Sequence, residues 1–350
     1  MNTIPTYTVA LDLGDLKHAL CVMNAAGEII DECFIPNKRE DLELLSTRYP
    51  DARIAFEVGS HSPWISRLFE ELGHEVIVAN PRKLRVIYTS DRKSDESDAR
   101  MLAKLARLDV SLLHPVQHGS ERAQRDLLQI KLRDNLVRQR VDVISAVRFT
   151  LKSLGVRLAS PKTSCFAKRA RLTLEAEEHL ELLAMIEPSL QVIDTMTKQI
   201  RHFDKQIDLL CEHCYPETAR LRGIRGIGPI TALAFILTIE DPHRFGKARD
   251  VGAYLGLVPK RDQSGKIDKA LGIGKCGNAY LRRLLVGSAQ YLLGPFGEPC
   301  DLRSSGERLI ARGGRGAKKK AAVATARKLA VVMLTVWKEK SEYHQFQEAA

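Results

Sequence analysis

The sequence predicts an α/β domain joined to an all-α remainder, and three observations predict it. Short β-rich runs alternate with helical ones as far as Leu108, apolar residues in the middle recur at steps of three and four, and the final third is glycine-punctuated and basic. Period-two runs between turn residues read as strands, and the three/four spacing reads as helix.

Tyr7 to Leu13 (YTVALDL) is β-rich and runs into Gly14. Ala19 to Met23 and Ile29 to Ile35 read as two more strands, with Ala25-Ala26-Gly27 as the turn between them. Asp41 to Tyr49 reads as a helix, Arg53 to Phe56 as a strand, Pro63 to Leu72 as a helix, and Glu75 to Val78 as a strand closed by Asn80-Pro81. A helix beginning near Ser94 or Asp95 sets Ala99, Leu102, Ala103 and Ala106 on one face. Strands followed by strand–helix alternation imply one mixed sheet.

From Arg122 to Leu154 the apolar set is Ile130, Val137, Val141, Ile144, Leu151 and Leu154. A second set runs Leu190, Ile193, Met196, Ile200, Phe203, Ile207, Leu210. This heptad-like seam predicts long helices broken between Gly155 and Thr163, with Ser160-Pro161 as the turn. The seam suits a helical hairpin or a coiled coil with a second copy, giving a dimer or tetramer. The expected regions are 1–115 (α/β), 116–215 (long helical, coiled-coil) and 216–345 (mainly helical).

The 350 residues carry 54 Lys+Arg against 43 Asp+Glu, a formal net charge of +11, which favours a polyanionic partner. At 44% hydrophobic and 28% charged, the chain is not disordered throughout. Between Asp301 and Lys328 nine Lys and Arg face two acids, and an alanine-rich helix is expected from about Ala317 to Lys340. Seven scattered cysteines and no basic, apolar leader in Met1 to Thr8 point to a reducing, cytoplasmic compartment. The apolar stretches Ile230–Ile239 and Leu329–Trp337 are too short to span a bilayer.

Four acids share a placement logic. Asp12 and Glu57 end strands, and Asp95 and Asp98 lie three apart at a helix start, so both project from one face. Carboxylates that converge at a sheet edge repel one another unless a divalent cation fills the gap; hard oxygen ligands suit Mg²⁺, as one or two ions. Singly, each has a plainer explanation: Asp95 and Asp98 suit a helix dipole, and Asp near Gly suits a turn.

The series Asp12, Glu57 and Lys93-Ser94-Asp95-Glu96-Ser97-Asp98-Ala99, with Gly73, Val76 and Asn80-Pro81 between, resembles the N-terminal RuvC-like, DEDD-type domain of a class of bacterial insertion-sequence transposases. The resemblance implies a ribonuclease-H-like fold with those four acids as the metal site. The segment Val58-Gly59-Ser60-His61-Ser62-Pro63-Trp64 departs from the family's spacing after the glutamate, which bears on the substrate side around Trp64.

Gly223-Ile-Arg-Gly226-Ile-Gly228-Pro229 before an apolar helix has the glycine pattern of a helix–hairpin–helix, able to hold a phosphate on backbone N–H groups, or of a helix start that needs tight turns. Arg244-Phe245, Leu255 to Pro259, Asp262-Gln263-Ser264-Gly265-Lys266, Gly274 to Asn278 and Leu281-Arg282-Arg283 are similar to the second block of the same family, and Ala326 to Ala330 to its closing helix. By that resemblance Ser264 is the nucleophile; from the residues alone, a Ser in such a loop is a turn former. Cations placed to contact nucleic acid are Arg225, Lys260, Arg261, Lys266, Lys275, Arg282, Arg315, Lys318, Lys319 and Lys320.

Other motifs lack their context. Gly272 to Gly277 satisfies G-x-G-x-x-G outside any βαβ unit, and reads better as a phosphate-facing loop before the helix of Arg282. Cys211-Glu-His213-Cys214 has no second pair to complete a zinc site.

The leading expectation is a DNA recombinase in which Ser264 attacks a DNA phosphate beside a Mg²⁺-binding acid set. The resemblance adds donor and target DNA, a guide (bridge) RNA and a nucleoid-associated place of action. The alternative is a two-metal nuclease of the Holliday-junction-resolving type, with water as nucleophile. An actin-like ATPase leaves Asp95 and Asp98 unexplained, and an RNA-binding scaffold leaves all four acids unexplained.

Overall fold

The computed structural model describes residues 5–84, 94–159, 162–264 and 267–346; the side chains of residues 262, 264 and 267–270 lie outside the description. Contacts divide the chain into two units, residues 1–119 and 120–350.

The first unit is a five-stranded sheet of order β3-β2-β1-β4-β5. Its elements are β1 (Tyr7–Asp12), β2 (Lys17–Asn24), β3 (Ile29–Pro36), α1 (Arg39–Arg48), β4 (Arg53–Glu57), α2 (Ser62–Glu71), β5 (Glu75–Ala79) and α3 (Asp95–Leu108). β1–β2 and β2–β3 are antiparallel, while β1–β4 and β4–β5 are parallel, so the sheet is mixed as expected. Alternation along each strand sorts side chains to two faces. On one, Val9, Leu11, Leu20, Ile54 and Phe56 pack with Leu42 and Leu45 of α1 and Ile65, Leu68 and Phe69 of α2. On the other, Ala10, Ala19, Ala55 and Ala79 meet Ala99, Leu102, Ala103 and Ala106 of α3. Small residues on both sides let α3 lie close to the sheet.

The second unit begins with α4 (Glu121–Ser153), α5 (Phe166–Ala176) and α6 (Leu180–Leu209). α4 and α6 pack antiparallel: Arg133 pairs with Asp204 near one end, Arg140 donates to Thr197 further along, and Ile144 joins Leu190 and Ile193 near the other. Of the seam residues, Ile130, Ile144, Leu151, Leu190, Ile193, Ile200 and Ile207 are buried within one chain, while Val141 and Leu154 are exposed. Sequence reasoning placed one break, between Gly155 and Thr163, and no separate helix after it; α5 forms on the short stripe Phe166, Ala167, Ala170 and Leu174. Ser160 and Pro161, the expected turn, lie outside the described residues.

The rest comprises α7 (Thr218–Arg222), α8 (Pro229–Ile239), α9 (Asp250–Tyr254), the hairpin β6 (Pro259–Ser264) and β7 (Ile267–Ile273), α10 (Ala279–Leu293), α11 (Asp301–Ala311) and α12 (Ala317–Glu339). Gly228 precedes α8 as its N-cap and Pro229 opens its first turn, where a missing N–H costs nothing. It is buried nearly all round and shares one core with Leu127 and Ile130 of α4, Ile207 of α6, Leu285 of α10 and Leu329 of α12. The helical middle and the glycine-punctuated segment therefore share a core.

Candidate metal and nucleic-acid sites

Asp12 and Glu57 end adjacent parallel strands in matching register, since Leu11 pairs with Phe56 immediately before them. Strand parity puts Asp12 on the face of Ala10 and Glu57 on that of Ala55, the face covered by α3. Both are half-buried.

The direction of α3 follows from three arginines. Arg107, near its C-terminus, donates to the Ala25 carbonyl in the β2–β3 turn at 2.6 Å, and Arg53, at the start of β4, donates to the Ala106 carbonyl at 2.9 Å. Midway, Arg100 grips Glu32 of β3 through both carboxylate oxygens, one at 2.9 Å, and this hydrogen bonding holds the Glu32 carboxyl below its ordinary range. α3 therefore runs antiparallel to β1 and β4, and its first turn lies at the edge where those strands end. Ser94 caps it, accepting from the Ser97 N–H at 3.2 Å while the Ser94 N–H donates to Ser97 Oγ at 3.2 Å. Asp95, which is exposed, and Asp98, which is half-buried, sit four residues before Ala99 and Leu102, in line with the buried stripe of α3 at that edge.

Topology thus brings the four acids to one edge. The donor set, all carboxylate, fits a hard divalent ion. Among the described residues, no three His, Cys, Asp or Glu side chains close around a single point that would hold a metal. Asp12, Glu57 and Asp98 each already engage in polar or electrostatic interactions.

At the same end of the sheet, the Trp64 indole N–H donates to His61 Nδ1 at 3.3 Å. That leaves the ring proton on His61 Nε2, which donates to Asp15 at 3.0 Å. Trp64 also packs on the core beneath α2, so the segment that departs from the family spacing is anchored. Sequence inspection passed over Arg53, Arg100 and Arg107, because nothing local distinguishes a clamp from a solvated cation.

In the second unit, Ser264 ends β6 opposite Ile267 of β7, in a hairpin where sequence reasoning placed no strand. The segment PKRDQS lacks the β-branched and aromatic residues that mark strands. The Ser264 side chain lies outside the description, as does Lys266 entirely. Lys260 and Arg261 are exposed on β6.

The loop of Gly272 to Gly277 is a packing element. Gly277 has φ +70°, and a Cβ there would stand 1.9 Å from the Tyr254 carbonyl oxygen. Arg282 locks this apposition by donating to the Leu255 and Cys276 carbonyls at 2.9 and 2.8 Å. Arg225 is held by Glu298 at 3.0 Å and by the Pro299 carbonyl. Lys275, Arg315, Lys318, Lys319 and Lys320 are exposed. The last three crowd the first turn of α12, which contains no acid; the helix dipole opposes cations there, so an anion would relieve them.

A DEDD-type transposase model of the IS110 kind matches residues 9–155, and a model described as the Transposase IS116/IS110/IS902 family matches residues 218–297. The chain belongs to the DEDD-type insertion-sequence transposases. Within that family it is 28% identical over 239 residues to the transposase for insertion sequence element IS1111A of Coxiella burnetii, covering 67% of this chain and 64% of that relative. It is 28% identical over 292 residues to the transposase for insertion sequence element IS1328 of Yersinia enterocolitica, covering 82% and 84%. A probable family 20 transposase of Pseudomonas aeruginosa is 27% identical over 276 residues, 76% and 79% of the two chains. The first of the two matches runs from β1 through α4. No described helix is long and apolar enough to cross a membrane.

Proposed function

We propose that this family member is a DNA recombinase that cuts and exchanges strands through a serine nucleophile and a divalent-metal site. The observation that carries the reading is the delivery of Asp12, Glu57 and the first turn of α3 to one sheet edge.

Asp12, Glu57, Asp95 and Asp98 would hold one or two Mg²⁺ ions. A bound ion would supply Lewis-acid stabilisation of charge on the phosphate oxygens. Ser264 Oγ attacks the DNA phosphorus and loses its proton to a base, and the bond from phosphorus to the 3′ oxygen breaks. That oxygen takes up a proton and leaves as a free 3′ hydroxyl, with the 5′ side held as phosphoserine. Attack on the phosphoserine by another 3′ hydroxyl reseals the strand and restores the serine.

Lys260 and Arg261 flank the nucleophile, and Lys318 to Lys320 offer charge to the DNA backbone. A turn of the helix–hairpin–helix kind before α8 would add backbone N–H donors to phosphate. A guide RNA completes the reading by resemblance, and the heptad-like seam and scattered cysteines add a homo-oligomer with the long helices as its contacts and a cytoplasmic place of action.

The test is purified protein with Mg²⁺, the RNA of its own element end and labelled donor DNA, run on a denaturing gel before and after protease. A protease-sensitive adduct that vanishes in both Ser264→Ala and Asp12→Ala is the expected result. Nicked DNA without an adduct, unchanged by Ser264→Ala, would instead establish a metal nuclease using water.

A further inference from the structure

The end of the helical hairpin distant from the shared core carries a feature that strand transfer does not explain. Ser145, Arg148, Phe149 and Lys152 fall at i, i+3, i+4 and i+7 on α4, one stripe of the helix. On most helices such a stripe is covered; here Phe149 is 77% exposed. After α4 the chain reverses at Gly155, whose φ is +85°, with the Val156 N–H donating to the Leu151 carbonyl at 3.0 Å. The reversal brings Arg157 and Leu158 alongside the stripe and forms an open groove of about 510 Å³ lined by these six residues. No acid lines it. From Val143 to Leu174 the chain has seven Lys and Arg and no Asp or Glu.

We infer that this tip binds RNA by stacking an unpaired base on Phe149. An aromatic face ringed by three cations suits a base with its flanking phosphates, and Arg planes add stacking of their own. Duplex DNA keeps its bases stacked within the helix, whereas RNA loops and bulges splay them out. Ser145 places a hydroxyl in the same groove, able to exchange a hydrogen bond with a ribose 2′-OH, the group that distinguishes RNA from DNA. A second copy of this chain is disfavoured as occupant, because two such tips repel. The inference rests on the tip alone and stands apart from the roles of Ser264 and the four acids.

Fluorescence anisotropy of the full chain with labelled 20-nucleotide oligo(U) and oligo(dT) tests it. Phe149→Ala should weaken oligo(U) binding roughly five- to 100-fold, the worth of one stacked base. Phe149→Tyr should restore it, which a loss of folding would not allow. Ser145→Ala should narrow the preference for oligo(U) over oligo(dT). Joint replacement of Arg148, Lys152 and Arg157 by Gln should reduce the salt slope by about 2. Unchanged binding in Phe149→Ala, or equal affinity for the two oligonucleotides in the wild type, would overturn the inference. So would sedimentation showing that Phe149→Ala dissociates an oligomer, which would give the tip to a second copy. The covalent-adduct gel reads Ser264 and the acids and not Phe149, so failure here is distinguishable from failure of the strand-transfer reading.

Discussion

In residues 1–119 the charged groups singled out for chemistry sit at the edge of a sheet packed on both faces, and they are acids. In residues 120–350 they sit on exposed helix starts, a hairpin and a helix tip, and they are cations. The contrast follows from what each sign must do. Carboxylates that share an ion repel one another until it binds, so the backbone must hold them in place; here strand register and an arginine-clamped α3 do so. Cations facing a polyanion need no common point, because each phosphate contact contributes nearly independently.

Deleting one acid should therefore cost far more than deleting one cation. Asp12→Asn is expected to lower strand cleavage by about 10³-fold or more, several kcal/mol of charge stabilisation, with far-UV circular dichroism unchanged. Lys319→Gln should leave cleavage within about threefold and reduce the salt slope of DNA affinity by roughly 1. Comparable losses in the two variants would erase the distinction.

The cores offer a second contrast. Phe56 is fully buried in the first unit, and Phe235 in the second, where it packs edge-on to Trp337 at 6.3 Å. The chain's two tryptophans, Trp64 and Trp337, fall one in each unit. Phe56→Ala should destabilise the Trp64-reported unfolding transition by about 3–5 kcal/mol, and Phe235→Ala the Trp337-reported one by a similar amount. Urea melts in Trp337→Phe and Trp64→Phe backgrounds separate the two signals. If both transitions move together in either variant, the units unfold as one body.

The two units also differ in how much the sequence disclosed. The first strand was expected from Tyr7 to Leu13 and runs Tyr7–Asp12, and the acid-bearing helix was expected from Ser94 or Asp95 and starts at Asp95. These succeed because alternation and capping are local, and strand parity carried Asp12 and Glu57 to one face. In the second unit α5 and the β6–β7 hairpin were missed, the first because its stripe is short, the second because KRDQS does not look like a strand. Partners far apart in the chain left no trace: Arg100 and Glu32 are 68 residues apart, and Arg283 and Asp134 are 149. Ser264 is singled out only by resemblance, since nothing in a Ser-Gly pair distinguishes a nucleophile from a turn.

The clamp on α3 gives a smaller prediction that sharpens the rigid-edge argument. Arg100 and Glu32 are both partly exposed, so Arg100→Met should cost no more than about 1 kcal/mol of stability. Cleavage should fall more than that predicts, roughly tenfold, because a slight shift of α3 misplaces Asp95 and Asp98. An unchanged rate would mean that packing of α3 on the sheet alanines positions the acids without help.

The smallest expected effect concerns protons. His18 is fully buried on β2 beside Asn37 and His61, and His118 is hydrogen-bonded to Ser62 at 2.9 Å with Arg67 nearby. Burial pushes both imidazoles below their ordinary pKa, with His61 adding to the shift of His18 and Arg67 to that of His118. Above about pH 6.5 each is neutral in the folded and unfolded chain alike, and its contribution to stability is fully present. As pH falls below that value the unfolded chain takes up protons that the folded one refuses, so stability declines until the folded-state pKa values are passed. Both histidines lie in the first unit, so the Trp64-reported urea midpoint should fall between pH 7 and 5.5. His118→Gln removes one of the two titrations and should flatten that fall. A midpoint that holds steady over this range in the wild-type chain would mean that neither burial persists when the pH drops.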